Sequence, residues 1–172
     1  WALIDENENL KEIDKESFKI TDHSNLIFDC IFNAIHGTPG EDGKMQKYFS
    51  DKNIPITGCN SYQSELTFDK VKCLNFLSSR GIKVAPSITI SKTNNPNLKE
   101  IEAKVGFPCF VKASNSGSSF GVYKVYNRDE MENCLESAFE VDDKVLVESY
   151  IDGREFSIGV ISFNGKTKVL PI

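Results

Sequence analysis

PCFVKASNSGSSFGVYKV, residues 108–125, is the stretch on which the fold turns. Cys109-Phe110-Val111-Lys112 is an apolar run ending in a lysine and reads as a strand. Gly121 to Tyr126 (GVYKVY) alternates inward and outward, as the partner strand of a hairpin does. Between them lies a polar loop of small residues, Ser114 to Ser119. The backbone N–H groups and hydroxyls of Asn115-Ser116-Gly117-Ser118-Ser119 can turn towards a polyphosphate, while Lys112 adds positive charge. Taken alone, a Gly/Ser loop is more often a plain turn beside a surface lysine. It is not the P-loop, because GxxxxGK[ST] is absent.

Downstream, Met131, Leu135 and Phe139 predict a helix, and Lys144 to Ile151 (KVLVESYI) a strand. Glu155 to Phe163, the pair Asn164-Gly165, and Lys166 to Leu170 predict a tight antiparallel hairpin. Glu148 ends an apolar strand and Glu155 follows a Gly153-Arg154 turn. In a nucleotide site, one such carboxylate can accept from an adenine amine and another from ribose hydroxyls. By themselves they read as a capped strand and an exposed acidic turn.

Upstream, Pro86 to Ile90 is rich in β-formers, and Leu98 to Val105 predicts a helix closed by Gly106 and Pro108. Val71, Leu74 and Leu77 recur in three-residue steps, predicting one amphipathic helix over 68–80 that Gly81 can end. Lys70 stands near its start and matters only if it points into the same cleft as Lys112. Leu26 to Ile35 (LIFDCIFNAI) reads as a largely buried strand running into His36-Gly37-Thr38-Pro39-Gly40. Glu41 and Asp42 then open a helix whose buried face is Met45, Tyr48 and Phe49. Glycines here let a ligand approach the backbone, and a helix start favours an anion such as a substrate carboxylate. A lone histidine at a strand end is otherwise more often a structural hydrogen-bonder. Ile54 to Gly58 suggests a short strand and turn. The first residues, to about Lys19, are acidic and weakly patterned, as in a chain entered partway through a domain.

With 172 residues the chain can form one ordinary domain or two small ones. Its 40% hydrophobic and 26% charged residues suit a globular protein, and no apolar run approaches the ~20 residues of a membrane span. A net charge of −5 argues against general nucleic-acid binding. The five cysteines are odd in number and lack CxxC spacing, so neither a disulfide framework nor a zinc site is expected. Several sit in apolar runs (FDCIF, FPCFVK), where a thiol acts as a small hydrophobe, and a reducing, cytoplasmic setting follows. The predicted fold class is mixed α/β and α+β. Residues 1–61 suggest part of a parallel α/β unit, 62–150 a compact α+β domain, and 151–172 the start of a further sheet.

Four blocks stand in a telling order: HGTPGEDGKMQKYF (36–49), IPITGCNSYQSELTFDK (54–70), FPCFVKASNSGSSFGV (107–122) and VLVESYIDGREFSIGVI (145–161). From about Ile27 to the C-terminus the chain closely resembles D-alanine–D-alanine ligases of the ATP-grasp class. The HGxxGEDG block makes the match more specific than ATP-grasp enzymes in general. The resemblance implies a partial, substrate-side N-terminal α/β domain, the central ATP-grasp subdomain, and the start of the C-terminal ATP-grasp sheet. It implies that Lys70 and Lys112 hold ATP phosphates and that Ser118 and Ser119 belong to a mobile phosphate-covering loop. Glu148, Ser149, Tyr150 and Ile151 match the hinge strand along the adenine, Glu155 the ribose-binding acid, and His36 and Glu41 the D-alanine end. The reaction implied phosphorylates one D-alanine on its carboxylate, and the amine of a second displaces phosphate, giving D-alanyl-D-alanine for peptidoglycan precursors. ATP and Mg²⁺, or Mn²⁺ in its place, are the implied cofactors. D-alanine and ATP are the partners, with no nucleic acid and no membrane, and a homodimer is compatible with the family.

Two departures stand out. Ala113 follows Lys112 where such ligases usually have proline. The family's N-terminal glycine-rich strand and glutamate have no match before residue 26, and its magnesium-holding Asp, Glu and Asn are expected beyond residue 172, with none in this chain. These 172 residues alone are therefore expected to bind nucleotide weakly and to make no dipeptide. The alternatives are another ATP-grasp carboxylate–amine ligase, one using D-lactate as acceptor, or a non-catalytic nucleotide-binding module of the same fold.

Overall fold

The computed structural model describes residues 2–4, 10–14, 16, 29–94 and 96–172. They form two compact units, Trp1–Phe76 with Asn115–Ser119, and Leu77–Ser114 with Phe120–Ile172.

In the first unit, β1 (Ala2–Ile4) pairs antiparallel with β2 (Leu10–Glu12), a pairing that the weak pattern there did not foretell. Helices α1 (Lys44–Asp51), α2 (Ser61–Phe68) and α3 (Lys70–Ser79) follow. Ile13 and Phe49 are buried, with Ile31, Met45, Tyr48, Ile54 and Ile56 packed against them. The predicted strand over 26–35 is reduced: residues 26–28 lie outside the described ones, and of the rest only Ile31 pairs, parallel, with Ile56. Cys30 is exposed, not a buried hydrophobe, and Phe32 is 82% exposed. Asn33 supplies the reason. Its backbone N–H donates to Thr57 Oγ1 (2.9 Å) and its side chain to Gly40 O (2.7 Å), so side-chain bonds replace a ladder.

The first helix begins at Lys44, three residues later than the acidic pair suggested. Gly43 precedes it at φ 89°, and a Cβ there would lie 2.4 Å from Ser61 O, so only glycine fits. Helix α2 carries no apolar periodicity and escaped notice; Asn60 Oδ1 starts it by accepting from Gln63 N at 2.8 Å. The single helix predicted over 68–80 is interrupted. Asp69 is extended (φ −81°, ψ 104°) and bridges to Asn115, and α3 restarts at Lys70. Val71, Leu74 and Leu77 are only half-buried.

In the second unit come β3 (Ser87–Ser91), α4 (Leu98–Val105), β4 (Cys109–Ala113), β5 (Val122–Val125), α5 (Arg128–Phe139) and β6 (Lys144–Ser149). The sheet order is β3-β6-β4-β5, antiparallel throughout. Alternation in β4 divides its faces: Cys109, Val111 and Ala113 are buried, whereas Phe110 and Lys112 are half-buried. The buried face packs with Ile101 and Val105 of α4, Met131 and Leu135 of α5, and Val145 and Val147 of β6. Phe110 and Lys112 thus stand on the opposite face, with Lys124 and Glu148 each opposite Phe110 in register. Strand β6 stops at Ser149, two residues short of prediction. Ser149 N and Tyr150 N still bond to Pro86 O (2.9 Å) and Pro108 O (3.2 Å), but neither proline has an N–H to return. Beyond it, β7 (Val160–Phe163) and β8 (Lys166–Val169) form the predicted hairpin, with Asn164 and Gly165 both at positive φ as a two-residue turn requires.

Candidate functional site

Segments far apart in sequence meet in the first unit. Lys70 Nζ donates to Ser116 O (2.7 Å) and contacts Ser116 Oγ (3.0 Å). Asp69 sets its direction: Asp69 is buried, and its Oδ1 accepts from Lys72 N at 3.1 Å, capping α3 just before Lys70. Around them a cavity of about 300 Å³ is lined by Glu41, Thr67, Phe68, Lys70, Ser116 and Gly117. Glu41 Oε2 accepts from Gly37 N at 2.6 Å, and its Oε1 lies 3.8 Å from His36 Nδ1. The His36 side chain is 88% exposed, so it is not the buried, doubly bonded histidine of a purely structural role. A Cβ on Gly117 would come within 3.3 Å of Glu41 Oε2, so the bare glycine keeps the carboxylate accessible.

The loop carrying Glu41 is fixed from below. Gly40 O accepts from both Asn33 Nδ2 and Gln46 Nε2, each at 2.7 Å. Asp42 accepts from Thr38 Oγ1 (2.9 Å) and Lys44 N (3.1 Å) and pairs with Lys44 Nζ (2.7 Å). Burial pushes the Asp42 carboxyl up, but the Lys44 and Thr38 hydrogen bonds and the Lys44 charge together outweigh it and hold it below the ordinary value of 3.8. An ammonium, a small-residue loop and an exposed carboxylate around one cavity suit a ligand carrying anionic oxygens beside a cationic amine.

In the second unit, Lys112 contacts Glu148, the two side chains 23% and 16% exposed. Lys112 Nζ lies 5.0 Å from the Phe110 ring centre. Ser149 Oγ donates to Val105 O at 2.8 Å, so its hydroxyl is engaged within this unit. Tyr150, Ile151 and Glu155 are exposed, as are Ser118 and Ser119, which both take positive φ (48° and 59°). The structure therefore joins Lys70 to the glycine–serine loop and Glu41, and Lys112 to Glu148. Among the described residues, Glu155 and Ile151 make no hydrogen bond or ion pair with Lys112 or Glu148. Asp69 stood out in the sequence only as the neighbour of Lys70, and Asn33 and Gln46, whose work is hydrogen bonding without periodicity, were missed. Phe110 and Lys124 were missed as well, though the alternation of GVYKVY and CFVKA placed both on the face of Lys112. Among the described residues no group of three or more His, Cys, Asp or Glu is disposed to hold a metal ion. The divalent ion implied by the resemblance thus has no seat among them, and the roles below belong to side chains and backbone alone.

The profile of the D-ala D-ala ligase C-terminus matches residues 76–172, more than half of the chain. A D-alanine–D-alanine ligase of Flavobacterium johnsoniae is 47% identical over 173 positions, covering 100% of this chain and 54% of that protein. The chain belongs to the D-alanine–D-alanine ligase family. Two solved ligases carry the same fold. A D-Ala:D-Ser ligase from Enterococcus faecalis superposes with a TM-score of 0.82 at 32% identity, covering 95% of this chain and 49% of that one. A D-alanine–D-alanine ligase from Bacillus anthracis, complexed with ATP, gives 0.65 at 35% identity over 73% and 42%. The chain spans about half the length of the curated relatives it matches. Of the cysteines, Cys109 is the buried packing group: burial, then the nearby Cys134, pushes its thiol up to about 11.

Proposed function

We propose that the whole protein is an ATP-dependent ligase joining two D-alanine molecules into D-alanyl-D-alanine, the dipeptide of peptidoglycan precursors. The observation that carries this reading is the convergence of Glu41, Lys70, Ser116 and Gly117 on one cavity from three distant segments. Lys70 and the loop from Asn115 to Ser119 meet the ATP phosphates, and Lys112 adds a second cation. Glu148 accepts from the adenine amine, the main chain of Ser149 to Ile151 runs along the base, and Glu155 takes the ribose hydroxyls. His36 and Glu41 hold the D-alanine end, the carboxylate meeting the substrate's ammonium. A carboxylate oxygen of one D-alanine attacks the γ-phosphorus, breaking its bond to the ADP oxygen. The amine of the second D-alanine then attacks the acyl carbon, forming the peptide bond as phosphate leaves and the amine loses a proton. Lys70 bonds to Ser116 and Lys112 to Glu148, and phosphate oxygens of ATP compete for these two ammonium groups. A cytoplasmic site accords with the free cysteines, and among the described residues no helix is long and apolar enough to cross a membrane. A homodimer is the assembly we expect.

The test is phosphate release coupled to dipeptide, measured on the full-length protein with ATP and D-alanine. Lys70→Ala or Lys112→Ala should lower kcat/KM for ATP by ~10²–10³, the usual effect of removing a preorganised electrostatic group. Likeness to a D-Ala:D-Ser ligase favours one second reading, so D-serine is offered as competing acceptor. Mixed dipeptide in excess would move the assignment to that acceptor, and no dipeptide at all would overturn the ligase reading.

A further inference from the structure

We infer that Lys124 is a positioning residue for the base-facing wall of the nucleotide site, acting through the ring of Tyr150. The inference rests on the ATP reading above and names how one end of that site is held. In β5, Lys124 stands opposite Phe110, on the sheet face away from the helices. Its ammonium lies 3.9 Å from the Tyr150 ring centre, 5.3 Å from Tyr126 and 5.9 Å from Phe110. A cation is drawn to the negative face of an aromatic ring within about 6 Å. The two lysines on this face are differently engaged. Lys112 contacts the Glu148 carboxylate, whereas among the described residues no carboxylate pairs with Lys124, and aromatic rings are what its charge meets.

Tyr150 needs such a hold. It follows the last residue of β6, where its backbone N–H donates to Pro108 O at 3.2 Å and fixes the main chain but not the ring. Its hydroxyl reaches Asp152 Oδ1 only at 3.5 Å, the outer limit of a hydrogen bond. The ring lies tilted at 47° to Phe110, centres 6.1 Å apart, so the pair forms an apolar wall. Lys124 touches both rings and sets the angle at which Tyr150 meets a flat base. Its own effect is therefore confined to the base and leaves the phosphate end alone.

Binding of ATP and of inorganic tripolyphosphate to the full-length protein separates these ideas, measured calorimetrically for wild type, Lys124→Met and Lys124→Arg. K124M should weaken ATP ~3–5-fold, the range of a partly exposed cation–π contact. Tripolyphosphate should bind both proteins equally, and K124R should restore ATP binding because a guanidinium also stacks on aromatic faces. Adding K124M to a Tyr150→Leu protein should produce no further loss, since the ring it acts through is gone. Unchanged ATP binding in K124M overturns the inference. So does equal weakening of ATP and tripolyphosphate, which would make Lys124 a phosphate contact, or a full additive loss in the Tyr150→Leu background. Failure of the wild-type protein to bind ATP would instead sink the nucleotide reading itself.

Discussion

Three donors keep the Asp42 carboxylate charged although it is largely withdrawn from water. Its folded pKa lies below the ordinary 3.8, so its contribution to stability is fully present above that value and is lost as pH falls through the lower, folded one. Asp42→Asn should therefore destabilise near pH 6, with the difference from wild type shrinking below pH 3.8. Urea unfolding at a series of pH values measures this, and a difference that stays constant down to the acid limit would deny the Lys44 and Thr38 bonds their role. At this scale the sequence was legible where a residue type has few uses. Lys70 and Lys112 stand out there, at a helix start and a strand end beside a glycine–serine loop. Which atoms they meet was not legible: Lys70 reaching Ser116, 46 positions along the chain, depends on a fold that no local pattern encodes.

Asp69 shows where an element differs from its periodicity. Hydrophobic steps ran unbroken through residues 68–80, yet this one residue turns extended, bridges to Asn115 and caps the next helix. Asp69→Ala should cost ~0.5–2 kcal/mol, the usual loss of an N-cap, while Asp69→Asn should keep most of it because the amide oxygen accepts the same bond. Chemical denaturation gives both numbers, and equal losses for Ala and Asn would show that the charge, not the cap, matters. Elements whose own alternation meets a covered face were read well, α4 and α5 and β4 with β5, whereas the hairpin at Asn164-Gly165, its strands exposed, was read from its turn residues. Those built on capping and side-chain bonds, α2 and the start of α1, carried no such signal. Among the described residues of the strand expected over 26–35, Ile31 pairs with Ile56 and Asn33 instead donates its N–H to the Thr57 side chain.

At the scale of the molecule, the family was legible because four blocks keep their order, and order survives where each block alone is ambiguous. The compact units were not, since a loop of five residues, Asn115–Ser119, belongs by its contacts to a unit that the chain had left at Phe76. Among the described residues no group of three or more His, Cys, Asp or Glu is disposed to hold a metal ion. The 172-residue chain should accordingly bind ATP no more tightly with Mg²⁺ than with a chelator, because the ion would meet only the nucleotide and solvent. Binding should instead weaken as salt is raised, as expected when lysines at a surface supply the attraction. Neutralisation of charge on the transferring phosphoryl group is central to this chemistry, so the same chain should release no phosphate coupled to dipeptide. Calorimetry with and without Mg²⁺, paired with a dipeptide assay, reads both expectations. Tenfold tighter binding with Mg²⁺, or turnover of D-alanine, would show that acids within these residues hold the metal after all.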